Sequence, residues 1–420
     1  MKLKRRNFIK TAVVAGSVAL SPKIVFASRS PKSKRRVVVI GGGFSGATAA
    51  KYIRMWSPNT EVVMIERNAQ FVSCPQSNLV LSGSRTLQQL TSDYHGLSDN
   101  YGVQTVQAEV VAIDTDKQRV TLHDDVVISY DRLVIAPGVD FIYDDMPQVA
   151  NQDAVPHAWK AGPQTTLLKN QLMGMKQGGT MVMTIPGMPF RCPPGPYERA
   201  CQIAFYMKHY NPSAKLIILD ASADIIVKKQ LFKGAWQKYY SNLIEYVPNS
   251  RIEDINIKNL IVETEFDSFS ADVLNYIPPQ KAGKVAEMAG VINVDDRWCK
   301  VDFLTYESSV KKNVHIIGDA VSANLPKSGH MANQQAKVCA AAIVNLFDDQ
   351  QPEQEPVFSN TCYSFVDNQQ AGHIAEVFRY NKEHSEMRVM PNVGISTQGS
   401  KLDGEFADAW AKNIWADVLK

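Results

Sequence analysis

Six cysteines, Cys74, Cys192, Cys201, Cys299, Cys339 and Cys362, are the residues of this 420-residue chain best suited to redox chemistry. Their surroundings divide them three and three. Cys201 falls in a helical stretch, Tyr197–Tyr210; Cys339 falls in an Ala-rich helix, Met331–Leu346; Cys299 neighbours a strand. Buried free cysteine behaves as a small hydrophobe, so these three read as structural. Cys74 stands in Phe71-Val72-Ser73-Cys74-Pro75-Gln76-Ser77-Asn78, Cys192 on a Pro-rich loop, and Cys362 in Asn360-Thr361-Cys362-Tyr363-Ser364-Phe365. Cys192 and Cys362 are 170 residues apart and can meet only through the tertiary fold. In an oxidising compartment, two cysteines on loops point to a disulfide, and a purely structural bridge stays open as a reading. Glu198, six residues beyond Cys192, stands beside a helix start. It is a general base if burial raises its pKa toward neutrality. Otherwise it is a carboxylate that complements the helix dipole.

A second constellation is built from glycines. Arg36-Val37-Val38-Val39-Ile40 is a β-branched run that predicts a buried strand. It enters Gly41-Gly42-Gly43-Phe44-Ser45-Gly46, a Gly-x-Gly-x-x-Gly turn opening a helix. Gly41 permits the tight turn, Gly43 lets the backbone approach a pyrophosphate, and Gly46 allows close helix–strand packing. The helix N-terminus adds amide donors and a positive dipole end. The next strand, from Glu61 to Ile65, ends at Glu66, 20 residues after Gly46. That is the spacing of a carboxylate that takes the ribose hydroxyls of a dinucleotide.

The same frame recurs in mid-chain without its fingerprint. Thr180–Ile185 and Lys215–Asp220 read as successive strands. The turn after the first runs from Pro186 to Glu198 with five prolines in thirteen positions. Proline has no N–H to donate and fixes φ, so this loop is poorly suited to cradle a pyrophosphate. The second unit is expected to keep its fold and not to bind NAD(P)H.

Charge and composition place the chain. The hydrophobic fraction is 45% and the charged fraction 21%, which excludes a disordered or fibrous protein. Residues 1–36 hold 11 of the 45 Lys and Arg and none of the 42 Asp and Glu. The other 384 residues therefore carry 34 basic and 42 acidic side chains, a net of −8, which argues against nucleic-acid binding. The basic Lys4-Arg5-Arg6-Asn7-Phe8-Ile9-Lys10, an apolar run from Thr11 to Leu20 and Val25-Phe26-Ala27 form a secretory signal of twin-arginine type. It predicts folded export to the periplasm and cleavage after Ala27. Beyond this region no apolar stretch is long enough to span a bilayer, so no integral membrane segment is expected in the mature chain.

Two further segments resemble the flavoprotein disulfide-reductase superfamily. Tyr130–Gly138 is a strand ending Ala136-Pro137-Gly138, with Pro137 where the superfamily usually has Thr. Val314–Ala320 is a strand ending Gly318-Asp319. The resemblance implies FAD in the first nucleotide fold, with Asp319 on the ribityl chain. His315, inside the last strand, reads as packed rather than catalytic.

Cys-Pro-x-Ser-Asn from Cys74, Phe190-Arg191-Cys192-Pro193-Pro194-Gly195-Pro196-Tyr197-Glu198-Arg199, and Thr361-Cys362-Tyr363-Ser364 together resemble the flavoprotein subunit of flavocytochrome c sulfide dehydrogenase, along essentially the whole chain. The resemblance implies FAD attached through its 8α-methyl group to Cys74, a redox disulfide between Cys192 and Cys362, and a catalytic role for Glu198. It implies sulfide as substrate and, since the chain lacks a Cys-x-x-Cys-His haem motif, a c-type cytochrome subunit as acceptor. The implied chemistry is thiol–disulfide exchange, with HS⁻ opening the bridge to a persulfide and a thiolate. No metal site is expected.

The fold expected is α/β: two Rossmann-like domains, one of FAD type and one of former NAD type, plus a C-terminal α+β domain. The boundaries read are 1–27 for the signal, 28–149 and 278–349 for the two parts of the FAD domain, 150–277 for the second Rossmann-like domain and 350–420 for the C-terminal domain. In the last, Cys362–Val366, Ile374–Tyr380 and Met387–Met390 read as strands. Phe406–Leu419 reads as a short helix, with Phe406, Trp410, Ile414 and Trp415 apolar and packed on the protein's own body. Two rivals remain: a membrane-associated sulfide:quinone oxidoreductase, and a non-catalytic flavoprotein partner in a sulfur-oxidising complex.

Overall fold

The computed structural model describes residues 35–420; the export signal read over residues 1–27 lies outside them. In the Arg36–Ile40 strand, Val37 to Ile40 are all buried. A run of four apolar side chains cannot alternate between core and solvent, so it needs cover on both faces, as the centre of a parallel sheet provides. The strand sits there, in the parallel order Val314–Ile316, Arg132–Ile135, Arg36–Ile40, Glu61–Glu66, Gln104–Gln107. Burying each such Val or Ile contributes roughly 1.5–3 kcal/mol. The Phe44–Trp56 helix follows the glycine turn. Its buried Gly46, Ala47, Ala49 and Ala50 let it run close to the Gly329–Phe347 helix, which answers with Ala336, Cys339 and Ala340.

The mid-chain unit forms a second parallel sheet, ordered Ile244–Val247, Lys215–Asp220, Thr180–Ile185, Val273–Asn275. The Gly195–Tyr210 helix crosses between its two central strands and buries Cys201, Ile203, Ala204 and Met207. Cys201 accepts a hydrogen bond from Trp236 Nε1 at 3.2 Å, a packing role. The fold is thus α/β, as expected.

The C-terminal region differs in detail from expectation. Val357–Phe365 and Ala371–Asn381 pair antiparallel along nine residues, and Glu386–Val389 and Gly394–Ile395 extend the sheet. The strand read from Cys362 thus starts five residues earlier, at Val357, and Cys362 lies inside it, paired with Ile374, rather than at its start or on a loop. The β-branched and aromatic neighbours Thr361, Tyr363 and Phe365 favour this extended pairing. The last helix spans Lys401–Leu419, starting five residues before Phe406, because the Ser400 hydroxyl caps it by accepting from Asp403 N at 3.0 Å. Its buried stripe is Gly404, Ala407, Ala411, Ile414 and Val418. Phe406 falls off that stripe and is half exposed, while Trp410 and Trp415 pack partly against the core. Among the described residues no helix is long and apolar enough to cross a membrane.

Candidate active site

The glycine turn does what its spacing asks. Gly41 has φ +101°, and a methyl there would lie 2.3 Å from the Ala136 carbonyl oxygen; a methyl on Gly46 would lie 1.8 Å from the Gly41 carbonyl oxygen. Gly43 is different: a methyl there meets nothing within 4 Å, because its Cα faces an open groove. Glu66 is held at the rim by Gly42 N at 2.6 Å and Asn68 N at 2.8 Å. Gly138, at φ +61°, lines the same groove, and Gly318, at φ +81°, leads into Asp319. Burial raises the Asp319 pKa, against the pull of Arg191 and Lys327, and its Oδ1 is buried without a hydrogen-bond partner. An open cradle at Gly43, a carboxylate at Glu66 and an orphaned acceptor at Asp319 fit FAD, whose pyrophosphate, ribose and ribityl hydroxyls would take those three positions.

Cys74 and Arg191 line this groove and also the adjoining cavity of about 100 Å³. Cys192, Cys362, Glu198 and Arg199 line that cavity too, with Trp159, His330, Tyr363 and Trp410 as aromatic wall. The structure thus brings Cys74, Cys192, Cys362 and Glu198 to one place from three parts of the sequence. All six cysteines are free thiols; Cys201, Cys299 and Cys339 are fully buried, whereas Cys74, Cys192 and Cys362 are half-buried.

Each cysteine segment is fixed from outside itself. The Cys74 loop is clamped by the last helix: Trp415 Nε1 donates to Ser73 Oγ at 2.8 Å and Gln76 Nε2 to Asp408 Oδ1 at 2.8 Å. Cys192 sits at φ +56°, a left-handed conformation that is strained for a residue with a Cβ. It is held by its own N–H to Lys327 O at 2.7 Å and by Gly195 N to its carbonyl at 2.8 Å. Beside Cys362, Ser328 Oγ donates to Asn360 Oδ1 at 3.0 Å, and Lys228 Nζ donates to the Cys362 carbonyl at 2.7 Å.

Glu198 ties the segments together. Its Oε1 accepts from Phe365 N and its Oε2 from Asn78 Nδ2, each at 2.8 Å. Those donors belong to the Cys362 strand and the Cys74 loop, so the carboxyl does more than complement its own helix. Burial pushes its pKa up, and the two hydrogen bonds with nearby Lys228 and Arg199 hold it back. Burial likewise raises both the Cys192 and Cys362 thiols; Arg191 opposes the rise most at Cys192, and Lys228 at Cys362. Arg199 is stacked over Trp159 at 4.6 Å and donates to Asn78 Oδ1 at 3.1 Å and Asn275 Oδ1 at 2.9 Å. Burial, and then Arg191, lowers its pKa to about 9.

Sequence reasoning gave no role to Arg191, Asn78, Arg199, His330 or Lys228. The first three stand inside quoted motifs, where their neighbourhood to the cysteines is a usable signal. Lys228 has no such signal, because its partners are more than 130 residues away. His315 is fully buried, with its ring against Thr305 O and Arg132, as a packed residue.

Comparison with known proteins gives this geometry a family. The model described as the central part of the sulfide dehydrogenase (flavocytochrome c) flavoprotein chain matches residues 165–278. That of the flavin-binding part of flavocytochrome c sulphide dehydrogenase matches 354–419, and that of pyridine nucleotide-disulphide oxidoreductases matches 35–173. The sulfide dehydrogenase flavoprotein chain of Chlorobaculum thiosulfatiphilum, a 46-residue match at 52% identity, is covered over 96% of its known sequence and 11% of this chain. The mitochondrial sulfide:quinone oxidoreductase of Mus musculus is 24% identical over 76% of this chain and 73% of its own. The crystal structure of the sulfide:quinone oxidoreductase from Aquifex aeolicus shares the fold, with a TM-score of 0.75 at 20% identity over 91% of each chain. On its family models and its 52% identical relative, the chain belongs to the flavoprotein-chain family of flavocytochrome c sulfide dehydrogenase, sulfide-oxidising flavoproteins related to the sulfide:quinone oxidoreductases.

Proposed function

We propose that this chain oxidises sulfide through a Cys192–Cys362 redox disulfide beside an FAD attached covalently to Cys74, and passes the electrons to a c-type cytochrome subunit in the periplasm after export by the twin-arginine route. One observation carries the reading: cysteines 170 residues apart line one small cavity that also holds Cys74.

The cavity walls select a small nucleophile. At about 100 Å³ it has room for a hydrosulfide and a few sulfur atoms. HS⁻ attacks one sulfur of the bridge; the S–S bond breaks, leaving a persulfide on that cysteine and a thiolate on the other. A second HS⁻ takes the outer sulfur as HSS⁻ and leaves the pair reduced. The pair then holds one thiol and one thiolate, and re-forming the bridge releases two electrons and the single thiol proton, which Glu198 is placed to take. Bound FAD supplies an acceptor for an electron pair that gives electrons up singly, as a haem partner requires.

Nicotinamide is not the electron donor in this reading. Asp220 ends the second strand of the mid-chain unit, where a dinucleotide would need a free carboxylate. It is fully buried and accepts from Tyr197 OH at 2.8 Å, Tyr246 OH at 2.9 Å and Ser222 N at 2.8 Å.

A quinone as acceptor is the second reading. It is supported by the similarity to the sulfide:quinone oxidoreductase of Mus musculus and by the exposed Leu402 and Phe406 on the last helix. Stable partition of the mature chain with membranes favours quinone; reduction of a c-type cytochrome by the soluble chain favours the first reading.

The test of the disulfide is direct. Peptide mapping of the oxidised protein without reductant should recover Cys192 and Cys362 in one linked fragment. In an anaerobic sulfide titration, Cys192→Ser or Cys362→Ser should slow flavin bleaching by orders of magnitude while dithionite still bleaches it. Two free thiols in the oxidised protein, or a serine variant as fast as the parent, would overturn the reading.

A further inference from the structure

Lys228 is a buried cation set against the redox pair without a carboxylate of its own. It is 2% exposed and sits at φ +54°, a backbone conformation unfavourable for a lysine. Its ammonium donates to the Cys362 carbonyl at 2.7 Å and to Ser364 Oγ at 2.9 Å, and reaches the Gly372 carbonyl at 3.5 Å. All three acceptors are neutral, and all belong to the strand pair that carries Cys362. Among the described residues no carboxylate lies within ion-pair distance of it. The ionisable groups around it are Cys362 and Glu376 on the sheet, Glu198 and Arg199 on the Gly195–Tyr210 helix, Arg191 and Cys192 on the loop before it, and Asp403 on the last helix.

Buried charges are ordinarily paired. With the bridge closed, the carboxylate of the cavity wall whose charge reaches Lys228 is Glu198, and its oxygens already accept from Phe365 N and Asn78 Nδ2. Opening the bridge creates a sulfur anion on the cavity wall, and the Lys228 ammonium stands behind that wall, on the carbonyl of Cys362 itself.

We infer that Lys228 is a positioning residue that serves as the standing countercharge of the Cys192–Cys362 couple, so that the opened pair holds one thiolate and one thiol instead of two thiols. This rests on the redox-disulfide reading. In balance, the closed bridge takes up two electrons and one proton; the S–S bond breaks, one sulfur keeps the proton and the other remains anionic beside Lys228.

The full-length, flavin-loaded chain is equilibrated anaerobically in dithiothreitol buffers of known potential across pH 6–8. It is then acid-quenched and alkylated, and the linked fragment is quantified by mass. One proton per two electrons makes reduction tenfold harder per pH unit, about 30 mV, where two protons would make it a hundredfold. The unmutated protein should show the tenfold slope. Lys228→Gln, which keeps donors for the Cys362 carbonyl and Ser364 without the charge, should show the hundredfold slope and be at least tenfold harder to reduce at pH 7. Lys228→Arg should restore the tenfold slope, which a merely structural role would not predict. A hundredfold slope in the unmutated protein, or an unchanged slope in a folded Lys228→Gln protein, overturns the inference. If Lys228→Gln does not fold, the slope of the unmutated protein decides alone. Absence of a linked fragment in every oxidised sample rejects the redox bridge itself, an outcome separate from a wrong slope.

Discussion

In the first nucleotide fold the chain leaves Ile40 through three consecutive glycines; in the second it leaves Ile185 through Pro186 and meets four more prolines by Pro196. The strands on either side are alike: β-branched and apolar, parallel, and buried. Each is followed by a helix and a second strand ending in an acid, Glu66 in one and Asp220 in the other. The first turn leaves an open cradle at Gly43 and an acid at the groove rim. The second closes its acid behind two tyrosine hydroxyls and turns its helix start toward a cysteine. The strand framework therefore sets where a ligand can sit, and the turn chemistry sets which ligand it is. A helix N-terminus that would receive a pyrophosphate in one unit lies beside Cys192 in the other.

Glycine substitutions are the harshest way to break this contrast. Gly46→Ala puts a methyl 1.8 Å from the Gly41 carbonyl oxygen, so the helix must shift; overpacking of this kind costs about 1–3 kcal/mol or more. The purified variant should carry no flavin. Gly43→Ala meets nothing in the protein, so it should fold with unchanged thermal stability and still lose flavin, because the methyl occupies the cradle. Gly195→Ala, in the second turn, would crowd Trp159 at 2.9 Å and Cys192 Sγ at 3.0 Å. It should keep its flavin and lose sulfide reactivity. Absorbance at the flavin band, read before and after sulfide, distinguishes the three. Full flavin content in Gly43→Ala would contradict the cradle.

Cys74 belongs to the first unit by sequence and to the cavity of the second by position. If it holds the cofactor covalently, acid-precipitated protein should stay yellow, and Cys74→Ser should release its flavin to the supernatant while the native variant still binds it through the glycine turn. Flavin lost from the unmutated protein on denaturation would place Cys74 in the cavity for another reason.

Glu198 tests whether the second turn contributes chemistry as well as a cysteine. Burial holds its carboxyl above the usual value of about 4.3. Protonated, it cannot accept a proton, so the rate of flavin bleaching, corrected for the HS⁻ present, should fall as pH drops through that raised pKa. General-base catalysis contributes typically 10²–10⁴-fold. Glu198→Gln should lose activity at the low end of that range and lose the acid limb with it. An acid limb that persists in the variant would assign it to another group and leave Glu198 as a clamp between Asn78 and Phe365.

The two turns also explain what the sequence could reveal. The glycine fingerprint is legible because every residue that uses it lies within 26 positions, from Gly41 to Glu66. The proline-rich turn is legible as an absence of the fingerprint, for an equally local reason. The strand read from Cys362 begins five residues earlier, at Val357, because its first half is recognised only when paired with Ala371–Asn381. The early start of the last helix had a local signal, a Ser400 cap three residues before Asp403, that apolar spacing alone passes over. Lys228 was illegible: nothing around it in sequence distinguishes it from neighbouring Lys229, whose ammonium pairs with Asp224 at the surface. Its place is set by a strand pair that arrives more than 130 residues later.

The smallest effect is expected at Tyr246, and it asks whether the closed acid of the second unit is only structural. Tyr246 OH shares Asp220 Oδ2 with Tyr197 OH, and Ser222 N takes the other oxygen. Removing the Tyr246 hydroxyl leaves two donors on the carboxylate, so Tyr246→Phe should cost about 1.5–3 kcal/mol, the range of one hydrogen bond to a charged group. The fully buried Tyr197 also packs near Phe232 and Trp236, so Tyr197→Phe, which keeps the ring, should again cost little more than its hydroxyl. Urea midpoints compare the two. Neither variant should change flavin content or sulfide bleaching, and neither should gain bleaching by NADH, because the turn still lacks amides for a pyrophosphate. If freeing Asp220 in Tyr246→Phe were enough to admit NADH, the acid and not the proline turn would be what separates the two folds.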